Sequence, residues 1–357
     1  MVNSTITKKL LQLILNIVFL FLISSCSDKI VDPGNNNNFI SYVKPEEVGW
    51  SSSKLEAINV MIEQSGYATV MAVYDGKVFF TWGDITKNYN CHSIRKPFLN
   101  SLYGIYTANG TIDLNETLEE LNIDDIPPSL TQEEKQATVR ELLQSRSGVY
   151  HEAAAEADIM IQMRPERGSH SHGTFFYYNN WDFNALGTIF EQETGKQIFE
   201  EFKDKIADPI GMQDFSLDNC HYQLEPNKSM HPAYTFRMST RDMARFGVLY
   251  QQNGNWDGKQ LVPSDWISES TQLYSIEDSA SGVGYGYLWK IIPRDSPMGE
   301  QIGYDVFYHT GIGVHALIVI PGLKLVIVER YNTDGNWVEP EEMIGFQIGL
   351  EIINARN

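Results

Sequence analysis

The sequence predicts an α+β fold, in which an antiparallel sheet is flanked by N- and C-terminal helices and carries an inserted all-helical region. Three observations support this prediction. Apolar, β-prone runs occur near both ends of the 357-residue chain, the segment from about residue 93 to residue 252 is mostly helical, and further helical patterns lie outside the strands. Strands interrupted by a long helical segment indicate a sheet layer with helices packed beside it.

The first helix is predicted to begin near residue 53. Ser53 and Glu56 have the spacing of a capping box, in which two side chains satisfy free N–H groups at a helix start. The apolar residues between Leu55 and Ile62 fall on one helix face, and Gly66 is a typical helix end.

Two hairpins contribute strands from opposite ends of the chain. Residues 68–74 and 78–82 are β-rich and are joined by Asp75-Gly76, a dipeptide that favours a tight turn with positive φ. Residues 313–320 and 325–331 form a second pair around a Pro-Gly turn.

The inserted region and the C-terminus supply the remaining helices. Residues 182–194 have a helical pattern that ends at Gly195, and Ser239 is placed to cap another helix. Apolar residues from Met343 to Ile353 recur at helical spacing and predict the last helix.

The N-terminus has the pattern of a bacterial lipoprotein signal. Lys8 and Lys9 precede an apolar run over residues 10–23, which is short for a membrane span but suits a signal peptide. The following Ile-Ser-Ser-Cys resembles a lipoprotein cleavage site, with Cys26 as the acylated residue. A plain amphipathic helix is the alternative. We therefore expect a lipoprotein anchored to a bacterial membrane through this lipid, on the periplasmic or cell-surface side.

These features divide the chain into a signal peptide (1–25), a flexible tether (26–40) and one domain (41–357), with the helical insertion at about 93–252. The other cysteines, Cys91 and Cys220, leave both a disulfide and two separate thiols open, and two thiols are slightly favoured.

Composition excludes some classes of function. Hydrophobic residues make up 42% of the chain and charged residues 20%, as in an ordinary globular protein. The formal net charge of −19 argues against nucleic acid as a partner, because phosphate binding needs an excess of Lys and Arg. Nothing in the sequence indicates an oligomeric state.

The first chemical motif is Ser93-Ile94-Arg95-Lys96. Residues three apart share a helix face, so the Lys96 amine can reach the Ser93 hydroxyl and activate it as a nucleophile. A lysine acts as a base when burial or nearby positive charge lowers its pKa. Alone the motif is weak, since Ser51 and Lys54 have the same spacing within a capping region.

The second motif is Tyr178-Asn179-Asn180. A phenol near a lysine can lose its proton more readily, and Tyr178 could then relay protons between Ser93 and the leaving group. The Asn180 amide could bind a substrate carbonyl while contacting Lys96. Tyr177 fits the same pattern one residue earlier, and a tyrosine packed in an aromatic core is the ordinary explanation.

The third motif is His309-Thr310-Gly311, which we expect to open a late strand. Gly311 would let a substrate backbone approach closely. The N–H groups of Ile312 and Ser93 would then face a developing oxyanion from two sides.

Together, in this order, the three motifs resemble those of the serine β-lactamase-related hydrolases, especially class C β-lactamases, D-alanyl-D-alanine carboxypeptidases and related esterases. In that family the second motif reads aromatic residue, any residue, then Tyr-x-Asn, and this pattern selects Tyr178 over Tyr177. The resemblance covers about residue 42 to the end. It implies Ser93, Lys96 and Tyr178 as catalytic residues, Asn180, His309, Thr310, Gly311 and Ile312 as substrate-binding residues, and neither a metal nor a cofactor.

One departure bears on the substrate. His309 stands where β-lactamases and carboxypeptidases usually have lysine, and a histidine is mostly neutral at neutral pH. We therefore expect a small ester, amide or peptide substrate that the protein does not bind through a substrate carboxylate. A β-lactamase or D-alanyl carboxypeptidase stays an alternative.

Two other classes of function are weighed against this hydrolase. One is a catalytically idle module that binds or senses the cell wall on the same scaffold. The other is a metal hydrolase using His170 and His172 with a carboxylate such as Glu152, for which a complete third ligand at a known spacing is missing.

Overall fold

The computed structural model describes residues 40–341 and 343–357. The predicted signal peptide, Cys26 and all but the last residue of the tether lie outside these residues. Within the described part of the chain, no helix is both long and apolar enough to cross a bilayer.

The strands follow in chain order: β1 (Ser41–Tyr42), β2 (Thr69–Tyr74), β3 (Lys77–Gly83), β4 (Tyr89–Asn90), β5 (His221–Gln223), β6 (Ala233–Thr235), β7 (Arg237–Met238), β8 (Asn255–Trp256), β9 (Lys259–Gln260), β10 (Ser275–Asp278), β11 (Val283–Tyr285), β12 (Lys290–Ile292), β13 (Val306–Gly311), β14 (His315–Ile320) and β15 (Leu325–Arg330). The α-helices are α1 (Ser52–Ser65), α2 (Arg95–Ala108), α3 (Val139–Leu143), α4 (Asp158–Met163), α5 (Asn180–Thr194), α6 (Ile198–Phe202), α7 (Thr240–Gln251), α8 (Ser264–Ser270), α9 (Gly299–Ile302) and α10 (Ile344–Asn354).

The predicted α+β fold is confirmed, but the insertion is not all-helical, because it contains the short strands β5, β6 and β7. The main sheet has the strand order β1-β3-β2-β15-β14-β13-β12-β11-β10, so strands from the two ends of the chain pair at β2 and β15. All of its pairs are antiparallel except β1 with β3, which is parallel. β1 contains two residues, too few for a periodic pattern, so this edge strand was not predicted.

The first hairpin has the predicted turn. Asp75 and Gly76 both have positive φ, 47° and 75°, as a two-residue turn between twisted strands requires.

Alternation along β15 builds a core on each face of the sheet. Leu325 and Ile327 pack with the terminal helices α1 and α10, whereas Val326 and Val328 belong to the core on the helical side. On that side Gly247 brings α7 so close that a Cβ would lie 2.5 Å from Val326 Cγ1. The sheet is therefore held between the terminal helices and the helical region.

The capping box on Ser53 was a wrong prediction. The N-cap of α1 is Ser51, whose backbone is extended and whose hydroxyl accepts a hydrogen bond from the Lys54 N–H at 3.4 Å. Lys54 Nζ donates instead to the carbonyls of Asn354 and Arg356, at 3.2 Å each. The Ser51–Lys54 pair therefore joins the two ends of the domain and has a structural role.

Cys91 and Cys220 are separate thiols, the first buried and the second half-buried.

Candidate active site

Ser93 lies in a short 3₁₀ turn, His92–Ile94, that leads directly into α2. His92 has a φ of 45°, a left-handed conformation that costs a non-glycine residue on the order of 1–3 kcal/mol. The hydrogen bonds that hold the turn include His92 N–H to Asn90 Oδ1 at 3.0 Å and Cys91 N–H to the Phe236 carbonyl at 2.9 Å. Strain of this kind persists only where the surrounding structure holds the backbone in place. Here the backbone that is held is that of His92, the residue directly before Ser93.

Lys96 lies one turn further on and reaches back to Ser93, with 2.9 Å between Nζ and Oγ. The lysine is 1% exposed, and its amine lies over the rings of Tyr178 and Phe183, 4.9 and 4.7 Å from their centroids. Burial lowers the pKa of Lys96 well below its usual range, and the positive charge of Arg95 adds to this effect. The amine is therefore able to accept a proton.

Tyr178 shares this pocket but differs from expectation in one respect. Its hydroxyl is buried and has no well-aligned hydrogen-bond partner among the described residues. The Ser93 hydroxyl is close enough to lower the pKa of Tyr178. Burial has the larger effect and raises the pKa of Tyr178 above its ordinary value. The phenol therefore keeps its proton, because an ionised phenolate is costly in a buried, apolar site.

The His-Thr-Gly segment was predicted to open a strand, and that prediction was wrong. His309, Thr310 and Gly311 are the last three residues of β13, and a three-residue turn joins them to β14 with Gly311 opposite His315. The strand signal before His309 was missed. The placement brings Ile312 and the Ser93 turn to the same cavity.

Gly311 fits closely against the turn that carries the nucleophile. A Cβ at this position would lie 2.9 Å from the Cys91 carbonyl oxygen, 3.0 Å from His92 Cβ and 3.4 Å from Ser93 N. The need for glycine therefore comes from packing between two protein segments, whereas the sequence suggested contact with a substrate.

His309 is fully buried and neutral. Its Nδ1 donates to the Thr310 carbonyl at 2.8 Å, and burial, assisted by the charge of Lys96, lowers its pKa well below the usual range. The ring lies 6.1 Å from that of Tyr178, and His309 is not among the described residues that line the cavity. Its expected contact with substrate stays a prediction.

Asn180 is the first residue of α5, and its amide has a different partner from the one expected. Nδ2 donates to the Ala155 carbonyl at 2.6 Å, Oδ1 is buried without a partner, and no hydrogen bond joins Asn180 to Lys96 among the described residues. Asn184 donates in the same way to Ala154 at 3.0 Å. Both asparagines hold the loop before α4 in place.

A cavity of about 940 Å³ contains the site. Its lining includes Ser93 and Tyr178 together with Thr310, Gly311 and Ile312. A smaller cavity of about 340 Å³, beside Thr188 and Tyr222, contains none of the predicted site residues.

Sequence reasoning missed one cation in the large cavity. Lys290 Nζ lies 5.7 Å from the centroid of the Tyr178 ring and forms an ion pair with Glu277 at 2.7 Å. Lys290 follows the aromatic stretch 284–289, but only its pairing with Tyr308 of β13 places it beside the nucleophile.

The proposed metal ligands are not arranged as a metal site. His172 Nδ1 contacts Glu141 at 3.0 Å, and the His170 ring stacks on Phe175 with 4.0 Å between centroids. In residues 40–341 and 343–357 no three or more His, Cys, Asp or Glu side chains are grouped to hold a metal ion.

A protein-family model described as Beta-lactamase matches residues 65–343. The chain belongs to the beta-lactamase family. Solved structures with the same fold include a putative 6-aminohexanoate-dimer hydrolase from Bacillus anthracis, with a TM-score of 0.63 and 19% identity over 83% of this chain and 81% of that one. A class C beta-lactamase mutant has a TM-score of 0.62 and 12% identity over 85% of this chain and 96% of its own.

Curated relatives of this beta-lactamase family member match only parts of their own length. An unguisins hydrolase from Aspergillus campestris is 24% identical over 270 residues, which are 62% of this chain and 47% of the relative. An uncharacterized protein from Alkalihalophilus pseudofirmus is 29% identical over 106 residues, 28% of this chain and 31% of the relative. The matched segments thus span less than half of either relative, while the family assignment supports a hydrolase acting on a small molecule.

Proposed function

We propose that the chain is a serine hydrolase that forms an acyl-enzyme on an ester, amide or small peptide. The observation that carries the proposal is the 2.9 Å contact between Lys96 Nζ and Ser93 Oγ, with the lysine 1% exposed. A serine needs a base to attack a carbonyl, and a buried amine of lowered pKa can serve as one.

In the acylation step Ser93 Oγ bonds to the substrate carbonyl carbon while its proton moves to Lys96 Nζ. The N–H groups of Ser93 and Ile312 stabilise the oxyanion of the tetrahedral intermediate. Tyr178, which holds its proton at rest, donates it to the leaving group and regains one from Lys96. The carbonyl–leaving-group bond breaks, and Ser93 is left acylated.

In the deacylation step a water molecule attacks the acyl carbon and loses a proton to the same Lys96–Tyr178 pair. The bond between Ser93 Oγ and the acyl carbon breaks, and the proton returns to the serine. The base and the acid thus exchange protons through two neighbouring side chains.

The neutral His309 favours a substrate without a carboxylate at that position. Names of similar proteins support hydrolysis in general, since one structural neighbour is called a D-stereospecific amidohydrolase and one curated relative an unguisins hydrolase. Fold similarity at 17% identity gives no substrate for this chain.

A fluorophosphonate probe tests the assignment of the nucleophile. The wild type should be labelled and Ser93→Ala should not. Ser51→Ala is the matched control, because Ser51 has the same spacing to a lysine but caps α1. Equal labelling of wild type and Ser93→Ala would refute the proposal.

A substrate panel tests the reaction. We expect turnover of p-nitrophenyl esters of graded chain length and little of nitrocefin or a D-alanyl dipeptide. Rapid labelling of Ser93 without turnover of any substrate would support the idle binding or sensing module instead.

We also propose that the chain is exported and lipidated on Cys26, on the strength of the N-terminal sequence pattern. In a bacterial host, an alkyne-labelled fatty acid should be incorporated into the wild type and should be absent from Cys26→Ala. Incorporation into both would contradict this proposal.

A further inference from the structure

Arg330, the last residue of β15, is a fully buried cation. Each of its three guanidinium nitrogens has a hydrogen-bond acceptor, but no carboxylate forms an ion pair with it among the described residues. Burying a charge is costly unless polar groups compensate it, and here backbone carbonyls and one histidine do so.

The acceptors of Arg330 lie on three other strands. Nη2 donates to the carbonyls of Tyr89 and Asn90 in β4, at 3.0 Å each, and Nη1 donates to the carbonyl of Met238 in β7 at 2.9 Å. Nε donates to Nδ1 of His315 in β14 at 3.0 Å. A guanidinium carries five N–H donors in a rigid plane, so one side chain can hold several acceptors in a fixed arrangement. Arg330 therefore joins β4 and β7 to the main sheet.

His315 serves this arrangement as a neutral acceptor. Its Nδ1 accepts from Arg330 and, at 3.4 Å, from the Tyr331 N–H, so the ring proton is on Nε2. That nitrogen is buried and has no hydrogen-bond partner among the described residues. Burial, assisted by the charge of Arg330, lowers the pKa of His315 well below its usual range. The ring is thus oriented through its contact with Arg330.

The two carbonyls of β4 come directly before the Ser93 turn. Asn90 lies two residues before His92, whose left-handed backbone needs support from its surroundings. The chain that follows β15 also contacts His92, because His92 Nε2 and Thr333 Oγ1 are 2.8 Å apart. Arg330 and Thr333 therefore fix the chain before Ser93 at two points.

We propose that Arg330 is a positioning residue, which holds the Ser93 turn against the sheet so that the N–H groups of Ser93 and Ile312 face the same oxyanion. This inference rests on the proposed function, since it concerns the placement of the proposed nucleophile. Ser93 and Lys96 belong to one turn of chain, so their 2.9 Å contact is local. Ile312 instead follows β13, and its position relative to Ser93 depends on how the turn is joined to the sheet.

Arg330→Lys tests this role, because lysine keeps the charge but has its three donors on a single atom and cannot reach all of these acceptors. We would measure kcat and KM for a p-nitrophenyl ester across pH, and the rate of Ser93 labelling by a fluorophosphonate. We expect kcat and the labelling rate to fall at least tenfold and KM to change less than threefold. The acid limb of the pH profile, which reports Lys96, should stay in place.

Arg245→Lys is the matched control. Arg245 is also a buried arginine, 6% exposed, but its Nη1 donates at 3.1 Å to the carbonyl of Ile210, which is not part of the Ser93 turn. Its kcat should change less than twofold. A smaller fall in kcat for Arg330→Lys, a larger change in KM, an equal loss in Arg245→Lys or a shifted acid limb would each overturn the positioning role.

Amide hydrogen exchange separates this inference from the catalytic proposal. Exchange in residues 91–94 should be at least tenfold faster in Arg330→Lys than in the wild type and unchanged in Arg245→Lys. Unchanged exchange in Arg330→Lys would overturn the positioning role, even with Ser93 established as the nucleophile. Faster exchange, together with equal labelling of wild type and Ser93→Ala, would instead remove the catalytic proposal and leave Arg330 as the residue that holds the turn.

If Arg330→Lys does not fold, His315→Leu decides, because it keeps Arg330 and removes the acceptor of Nε. His315→Asn is its control, since the asparagine Oδ1 can accept in the place of Nδ1. We expect kcat of His315→Leu to be at least fivefold lower than that of His315→Asn, and a smaller difference would overturn the proposal.

Discussion

Gly311 of β13 packs against the turn of Ser93, so that a Cβ on the glycine would lie 3.4 Å from the Ser93 amide nitrogen and 2.9 Å from the Cys91 carbonyl oxygen. Two segments more than 200 residues apart therefore meet without a side chain between them. The Ser93 and Ile312 N–H groups of the proposed oxyanion site belong to these two segments.

Gly311→Ala should therefore impair catalysis more than folding. The added methyl group pushes β13 away from the Ser93 turn and separates the two N–H donors. Loss of one such donor typically costs about 10²–10³ in kcat. Hydrolysis of a p-nitrophenyl ester and thermal unfolding measure the two effects. An unchanged kcat would show that the two N–H groups do not act together.

Lys96→Met should abolish hydrolysis and make the protein more stable. Its folded-state pKa is lowered, so the unfolded state binds more protons and the lysine reduces stability at neutral pH. We expect the free energy of unfolding to rise by about 1–2 kcal/mol at pH 7. The gain should shrink as pH rises toward about 10.4, the pKa of an unfolded lysine.

Denaturant unfolding of wild type and Lys96→Met at pH 7 and pH 9.5 measures this effect. Lys54→Met is the control, because that lysine is exposed and should give no such pH-dependent gain. A gain of equal size at both pH values would contradict a lowered pKa for Lys96.

Tyr178→Phe should discriminate between leaving groups. The ring contacts with Lys96 and Phe183 remain, but the proton donor is lost. An alkyl alcohol must be protonated as it leaves, whereas p-nitrophenolate leaves without a proton. We expect kcat/KM to fall about 10²–10⁴-fold for an alkyl ester and much less for the matched p-nitrophenyl ester. Equal losses for the two esters would argue against an acid role for Tyr178.

His309→Lys should change both the substrate preference and the stability. A lysine at this buried position brings a cation beside Tyr178, where the histidine is neutral. We expect relative activity on esters with a terminal carboxylate to rise about tenfold against the uncharged esters, with a lower melting temperature. His309→Gln, which stays neutral, is the control. If the ratio of activities on the two ester classes does not change, His309 does not determine the substrate specificity.

Much of the architecture could be predicted because turns and helix ends require particular residues, such as glycine at positive φ or serine at a helix cap. The Asp75-Gly76 turn, the helix end at Gly195 and the cap at Ser239 all follow from side chains and glycines that act on their own neighbourhood. The capping box at Ser53 failed because residues 51, 52 and 53 are all serine, and the helix is capped by the first of them.

The candidate site was predictable in part for the same reason. The spacing from Ser93 to Lys96 brings hydroxyl and amine together within one turn, which is a local property. The partner of Asn180, the burial of His309 and the position of Lys290 depend on which segments pack against them, and no local pattern carries that information.

The sequence by itself determined the α+β layout, the serine–lysine pair and the neutral residue in the place of a lysine, because these depend on residue identity and short spacing. Tertiary structure alone decided that Tyr178 keeps its proton and that Gly311 contacts the nucleophile turn. The physical reason is that burial and sheet register set pKa and proximity, and both arise only when distant segments pack together.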